Sequence, residues 1–164
     1  MDPAQFLQGR TRETEIRRDA RGRWFNGEDR IDHPNLTRSF DAWITRADDG
    51  RFCLSNSINW AYVAIDGPAY FVKDVTPSDD GMTLRLSGDL EEALDPASLR
   101  QGPEGALWCT VREGRCPARF DNHAVSKMSG WIGEDEDGVY VLVGRKKVRP
   151  PEIADPLSLG LERR

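Results

Sequence analysis

Few residues of this 164-residue chain have the type and spacing to do chemistry. Cys116, Asp121 and His123 lie close in sequence and bring thiol, carboxylate and imidazole together, the ingredients of nucleophilic hydrolysis. No strand–turn–helix nucleophile motif frames them. His123 in "DNHA" and His33 in "DHPN" both stand at helix starts, where capping is the plainer role. The acidic run Glu134–Asp137 invites a calcium loop. An EF-hand glycine at Gly138 would put the first ligand at Gly133 and the closing glutamate at Gly144, so the pattern fails. Neither a metal nor a cofactor is expected, and the chain reads as non-enzymatic.

Two other groups suit binding. Trp60 and Tyr62 fall with Ile58 on one face of the apolar run "INWAYVAID", and Asn59 starts the other face, with Val63 and Ile65. The two aromatic rings could form a stacking platform for a planar ligand, or simply pack in the core. Arg145, Lys146, Lys147 and Arg149 make up the dense basic run of the chain. They could meet a phosphate, or charge a strand edge so that it does not pair with other chains. On one continuous strand, Arg145, Lys147 and Arg149 would share a face. Arg23 reads as a solvated hairpin residue and Trp24 as core.

Composition narrows the partners. A net charge of −5 argues against a nucleic-acid polymer, whose phosphates call for a basic surface. No apolar run reaches the length needed to span a bilayer, so no membrane partner is expected. The opening "MDPAQFLQGRTRETE" lacks a signal pattern, and the three cysteines show no CxxC spacing. A cytoplasmic location is the expectation.

The elements that would position these groups repeat. "WITRADDGRFCL" from Trp43 is echoed by "WIGEDEDGVYVL" from Trp131. Each is preceded by a helix pattern, "DHPNLTRSFDAWITR" with Leu36, Phe40, Trp43 and Ile44 on one stripe, and "DNHAVSKMSGWI" with Val125, Met128, Trp131 and Ile132. Each helix is preceded by a hairpin, one turning at Asp19–Gly22 and one around Glu113–Gly114. The reading is an α+β fold, mostly antiparallel, with a hairpin–helix–strand unit used twice and both tryptophans in the core. Residues 1–13 form an N-terminal tail, 14–78 a first unit with added strands, 79–149 a second unit, and 150–164 a Pro-rich tail that leaves it. "DLEEALDPASLRQGPEG" reads as a connector, and "VYVLVGRKKV" as one long strand.

The pieces "IRRDARGRWFNGEDRI", "PNLTRSFDAWI", "DDGRFCL", "AIDGPAYFV", "CTVREGRCPARF" and "EDGVYVLVG" together resemble the bacterial family of uncharacterised proteins called domain of unknown function 1285. The resemblance covers most of residues 14–145. It implies an internal duplication, a second half superficially like pleckstrin-homology folds, and a ligand site between the halves for a nucleotide-like compound, with a role in signalling. Where the family tends to carry a Thr-Pro-x-Glu-Lys-like stretch, this chain has "SNSINWAYV", so Asn59 and Trp60 replace the charged pair. On this reading Trp60 and Tyr62 stack, Asn59 hydrogen-bonds, and Arg145 and Lys146 take negative charge. The alternative is a protein–protein interaction module with no small-molecule ligand.

Overall fold

The computed structural model describes residues 12–161. Most of the expected N-terminal tail therefore lies outside the described residues. The chain divides into two units, Met1–Ala69 and Tyr70–Arg164. The boundary falls before the expected one because the strand beginning at Tyr70 pairs inside the second unit.

In the first unit, β1 (Ile16–Arg18) and β2 (Trp24–Asn26) form the expected hairpin. Asp19 shapes its turn: its Oδ1 accepts the N–H groups of Arg21 at 3.0 Å and Arg23 at 2.9 Å. β3 (Asp29–Ile31) returns through a turn at Gly27. Helix α1 (Pro34–Trp43) begins where Pro34 needs no N–H partner, and His33 caps it by accepting from Leu36 N through Nδ1 at 3.4 Å. Leu36 and Phe40 form its buried stripe.

The helix ends sooner than the spacing predicts. Ile44 turns extended and opens β4 (Ile44–Arg46), which pairs with β5 (Phe52–Ser55). The apolar run after it is likewise two strands. β6 (Trp60–Tyr62) joins β5, and β7 (Ala64–Ile65) crosses to lie parallel to β1. One sequence run thus serves two sheets, which explains why it is apolar on both faces.

The second unit is built on β8 (Tyr70–Pro77), β9 (Met82–Leu86), β10 (Leu90–Ala93), β11 (Arg100–Gln101), β12 (Leu107–Val111) and β13 (Cys116–Phe120). Their order is β10-β9-β8-β13-β12-β11, with β8 and β13 parallel and every other pair antiparallel. The predicted connector contains β10, because Gly88 and Asp89 take positive φ and fold the chain back on β9. Helix α2 (Asn122–Lys127) follows β13, then a meander of β14 (Ile132–Asp135), β15 (Gly138–Val143) and β16 (Lys146–Val148). The expected long strand is broken into β15 and β16 by a tight turn at Gly144–Arg145, both at positive φ.

The C-terminal segment does not leave the unit. Gln101 donates to Pro151 O at 2.8 Å and accepts from Ile153 N at 2.9 Å, adding a strand-like segment to the edge at β11. Leu159 is buried, and Gly160 abuts Arg115 so closely that an added Cβ would lie 2.4 Å from its carbonyl oxygen. The fold is α+β, mostly sheet, and the described strands form open sheets rather than a closed barrel.

Hairpin, helix and three-stranded meander recur in that order in both units. The pairing differs in detail. β7 lies beside the first strand of its hairpin, whereas β8 lies beside the second. Helix α1 packs on β5, and α2 on β8. Ile44 faces Leu54, but Ile132 faces Val141, because the β14–β15 turn is tighter than the β4–β5 loop. The two echoed tryptophans also part company: Trp43 is half-buried and Trp131 is 40% exposed, so Trp131 is not the core residue its spacing suggested.

Trp24 instead anchors the first core, 1% exposed and edge-on to Phe40 at 5.2 Å between ring centroids. Trp24→Ala should therefore cost about 3–5 kcal/mol. Trp131→Ala, at a site 40% exposed, should cost clearly less, about 1–2 kcal/mol. Denaturant melts of the two variants check this, and equal losses would contradict the assignment.

Candidate functional site

Three of the expected ligand residues do come together in the first unit: Trp60 and Tyr62 on β6, and Asn59 just before it. Trp60 and Tyr62 meet edge to face at 5.1 Å. Each ring also carries a guanidinium from its own chain. The Arg12 guanidinium lies 4.6 Å from the Trp60 centroid, and that of Arg51 lies 3.6 Å from the Tyr62 centroid. Arg12 also donates to the Asn59 side-chain oxygen and, at 2.5 Å, to the Trp60 carbonyl. Arg51 forks the Glu13 carboxylate at 2.9 and 2.7 Å. Tyr62 donates its hydroxyl to Asp49 at 2.6 Å. The platform legible as Trp60 and Tyr62 is thus a layered cluster, and Arg12, Glu13, Asp49 and Arg51 are the members the sequence reading missed. Their signal was weak, since alternating charges in "RTRETE" and "ADDGR" suit any solvated surface.

The electrostatics follow from these contacts. Hydrogen bonding from Arg51 holds the Glu13 carboxyl below its usual range and raises Arg51 in turn. The Tyr62 hydroxyl does the same to Asp49, and the price appears on Tyr62, whose phenol is pushed up because it must stay protonated to donate. A shallow cavity of about 400 Å³ lies beside this cluster, lined in part by Thr14, Arg51, Phe52, Tyr62 and Asp66.

The basic run belongs to the second unit. Arg145 sits in the β15–β16 turn, exposed and 3.2 Å from Asp79. Gly144 beside it is required, since a Cβ there would approach the Asp80 carbonyl to 2.9 Å at positive φ. Lys146 is exposed at the start of β16. Lys147 and Arg149 do share a face, and both bind Asp135: Lys147 at 3.2 Å, Arg149 through two bonds of 2.8 and 2.7 Å. That fork holds the Asp135 carboxyl far below the ordinary carboxylate range. The acidic run is therefore a counter-charge to the basic one. Among the described residues no group of three or more His, Cys, Asp or Glu side chains is placed to hold a metal ion. Cys116, the thiol of the hydrolytic set, is buried, while His123 is exposed and faces Asp74 at 3.9 Å.

The second unit also contains a cavity of about 370 Å³ that no motif announced. Its apolar wall is Leu107, Phe120, Val125, Ile132, Val139 and Val141. Cross-strand pairing explains the wall: Ile132 lies opposite Val141, and Glu134 opposite Val139, so both valines face one side of the meander. Gln101, Glu104, Arg119 and Asn122 supply its polar margin. Alternation along β13 turns Phe120 inward and leaves Arg119 exposed at the rim. Glu104 is held there by a backbone at φ 63, an unusual conformation for a residue with a side chain.

No protein-family model and no curated protein matches the chain. Solved structures do. A DUF1285 family protein from Silicibacter pomeroyi DSS-3 superposes with a TM-score of 0.65 at 16% identity, over 89% of this chain and 85% of that one. A second, from Shewanella baltica OS155, gives 0.57 at 10% identity, over 71% and 91%. The chain has the fold of these bacterial DUF1285 proteins, in agreement with the resemblance seen in its sequence. No helix among the described residues is long and apolar enough to cross a membrane.

The Tyr62–Asp49 bond has a measurable consequence. The Tyr62 phenol should titrate above its ordinary value, about 10. Its contribution to stability is present below that pH and is lost as pH rises through the elevated folded value. NMR titration of labelled tyrosine should show the elevation, and Asp49→Asn should bring Tyr62 back toward normal. An unchanged Tyr62 titration in that variant would mean the bond does not form in solution.

Proposed function

We propose that this chain is a non-enzymatic, cytoplasmic protein that binds a small ligand in the cavity of its second unit and passes on its occupancy as a signal. The observation that carries the reading is the cavity itself: about 370 Å³, walled by aliphatic side chains and Phe120, with Gln101, Glu104, Arg119 and Asn122 as its polar side chains. Ligand pockets have this size and this division of labour, the apolar wall supplying affinity and the polar margin orientation. The lining offers a carboxylate, a guanidinium and two amides, but no histidine, serine or cysteine, a set suited to holding a molecule rather than converting it. Three buried thiols suit a reducing compartment. The recurrence of hairpin, helix and meander supports an internal duplication from which the second copy has diverged toward this role.

A nucleotide-like ligand resting on Trp60 and Arg145 is less well supported. Arg12 already covers a face of Trp60, and Arg145 is paired with Asp79. The cavity favours a ligand with an apolar body and a polar end. Occupancy can be signalled without chemistry whenever ligand shifts the population between two states of the protein.

A panel of nucleotides, apolar carboxylic acids and apolar amides tests this. At a hundredfold excess over its dissociation constant, a bound compound should stabilise the fold by about 2.7 kcal/mol, a melting rise of roughly 5–10 °C for a chain of this size. The methyl resonances of Val125, Ile132, Val139 and Val141 should move with it. Val139→Asp, at an exposed wall position, should abolish the shift while the variant stays folded. A panel that moves none of these methyls at millimolar concentration would refute the cavity as a binding site.

A further inference from the structure

Independently of the cavity, the edge of β6 holds a short segment through successive side chains, as a receptor holds a peptide. The segment is Arg12–Thr14 of the same chain. β6 meets it through Tyr62, whose N–H donates to Arg12 O at 2.7 Å and whose carbonyl accepts from the Thr14 side-chain hydroxyl at 2.6 Å. Its arginine is read three ways, by the Asn59 side-chain oxygen, the Trp60 carbonyl and the Trp60 ring. Its acid is read by the Arg51 fork, which the Tyr62 ring and, through Tyr62, Asp49 hold in place. One backbone bond to a sheet edge together with separate sites for successive side chains is a reduced form of the way peptides are recognised at sheet edges.

The same contacts are weak enough to exchange. Arg51 and Glu13 are 51% and 63% exposed, and ion pairs at such positions contribute about 0–1 kcal/mol. An exposed arginine over an indole adds about 0.5–1 kcal/mol. Specificity here comes from the number of matched groups, while no single bond is strong. We propose that the edge of β6, with Asn59, Trp60, Tyr62 and Arg51, is a recognition surface for an extended peptide of a partner protein carrying arginine, then an acidic residue, then a hydroxyl residue. The chain's own Arg12–Thr14 occupies that surface as an internal competitor.

The test uses the full chain and a labelled peptide of the sequence RTRETEI, which spans positions 10–16. Arg12→Ala combined with Glu13→Ala disables the internal competitor. This variant should bind the peptide about tenfold or more tighter than the unaltered chain, because a site mostly occupied loses affinity in proportion to its free fraction. Adding Trp60→Ala should abolish binding, as should Arg12→Lys in the peptide, since lysine cannot offer the planar fork to carbonyl, amide and indole together. Amide spectra confirm that each variant is folded. Equal affinity for the unaltered chain and the double variant would overturn the proposal, and so would indifference to the arginine of the peptide. A concentration-dependent dimer of the unaltered chain that Arg12→Ala abolishes would also overturn it, by making a second copy of this chain the occupant.

Discussion

The guanidinium of Arg18 is taken out of water, with 1% of the residue exposed, and a charge in that position is tolerable only when its donors meet acceptors. Asp41 accepts from Nη1 at 3.2 Å, and the carbonyls of Ala69, at 2.9 Å, and Pro68 accept from Nη2. Trp24 turns its indole N–H to the same Asp41 oxygen at 2.9 Å. The first hairpin, helix α1 and the last residues of the unit are thus fixed to one cation. The largest core ring is oriented by the carboxylate that neutralises it. The β6 edge reaches the same hairpin sheet through β7, which pairs with β1 beside Arg18.

In the second unit the constraint is apolar. β8 lies at the centre of the six-stranded sheet, and Val72 and Val75 on it are buried with Leu84 and Leu86 of β9. Helix α2 packs on β8 through its buried Ala124. The meander then stands beside the helix and the hairpin ends, and the space they enclose is the cavity. Close packing at its edge shows how little latitude there is: a Cβ on Gly102 would lie 2.7 Å from the Trp108 indole nitrogen.

Much of this fold was legible. Proline after His33 marked a helix start, Asp-Gly and Asn-Gly pairs marked turns, and the alternation of Met82, Leu84 and Leu86 marked a half-buried strand, all local signals that the chain obeys. What could not be read depends on partners far away in sequence. Arg18 alternates with Ile16 on the inner face of β1, yet an arginine in a short strand gives no sign that Asp41 and two carbonyls near residue 69 await it. Trp60 and Tyr62 stood out by residue type, but the arginines layered on them come from residues 12 and 51. Arg145 and Lys146 looked like neighbours on a strand until two positive-φ residues made a turn of the first. The cavity has no motif because its wall is drawn from ordinary aliphatic positions on a hairpin, a helix and a meander.

The parallel pairing of β8 with β13 sets an order of events during synthesis. Tyr70–Val72 pair with Ala118–Phe120, so the central strand of the second sheet emerges from the ribosome long before its partner exists. The first unit is complete in sequence by Ala69 and can begin to fold while the second is still unfinished, as N-terminal units commonly do. Until β13 arrives, β8 pairs with β9 alone and presents a row of unpaired backbone groups along its other side. Lys73, exposed where the β8–β9 ladder is bulged between Val72 and Asp74, is the kind of charged residue that discourages such an edge from adding itself to a neighbour's sheet.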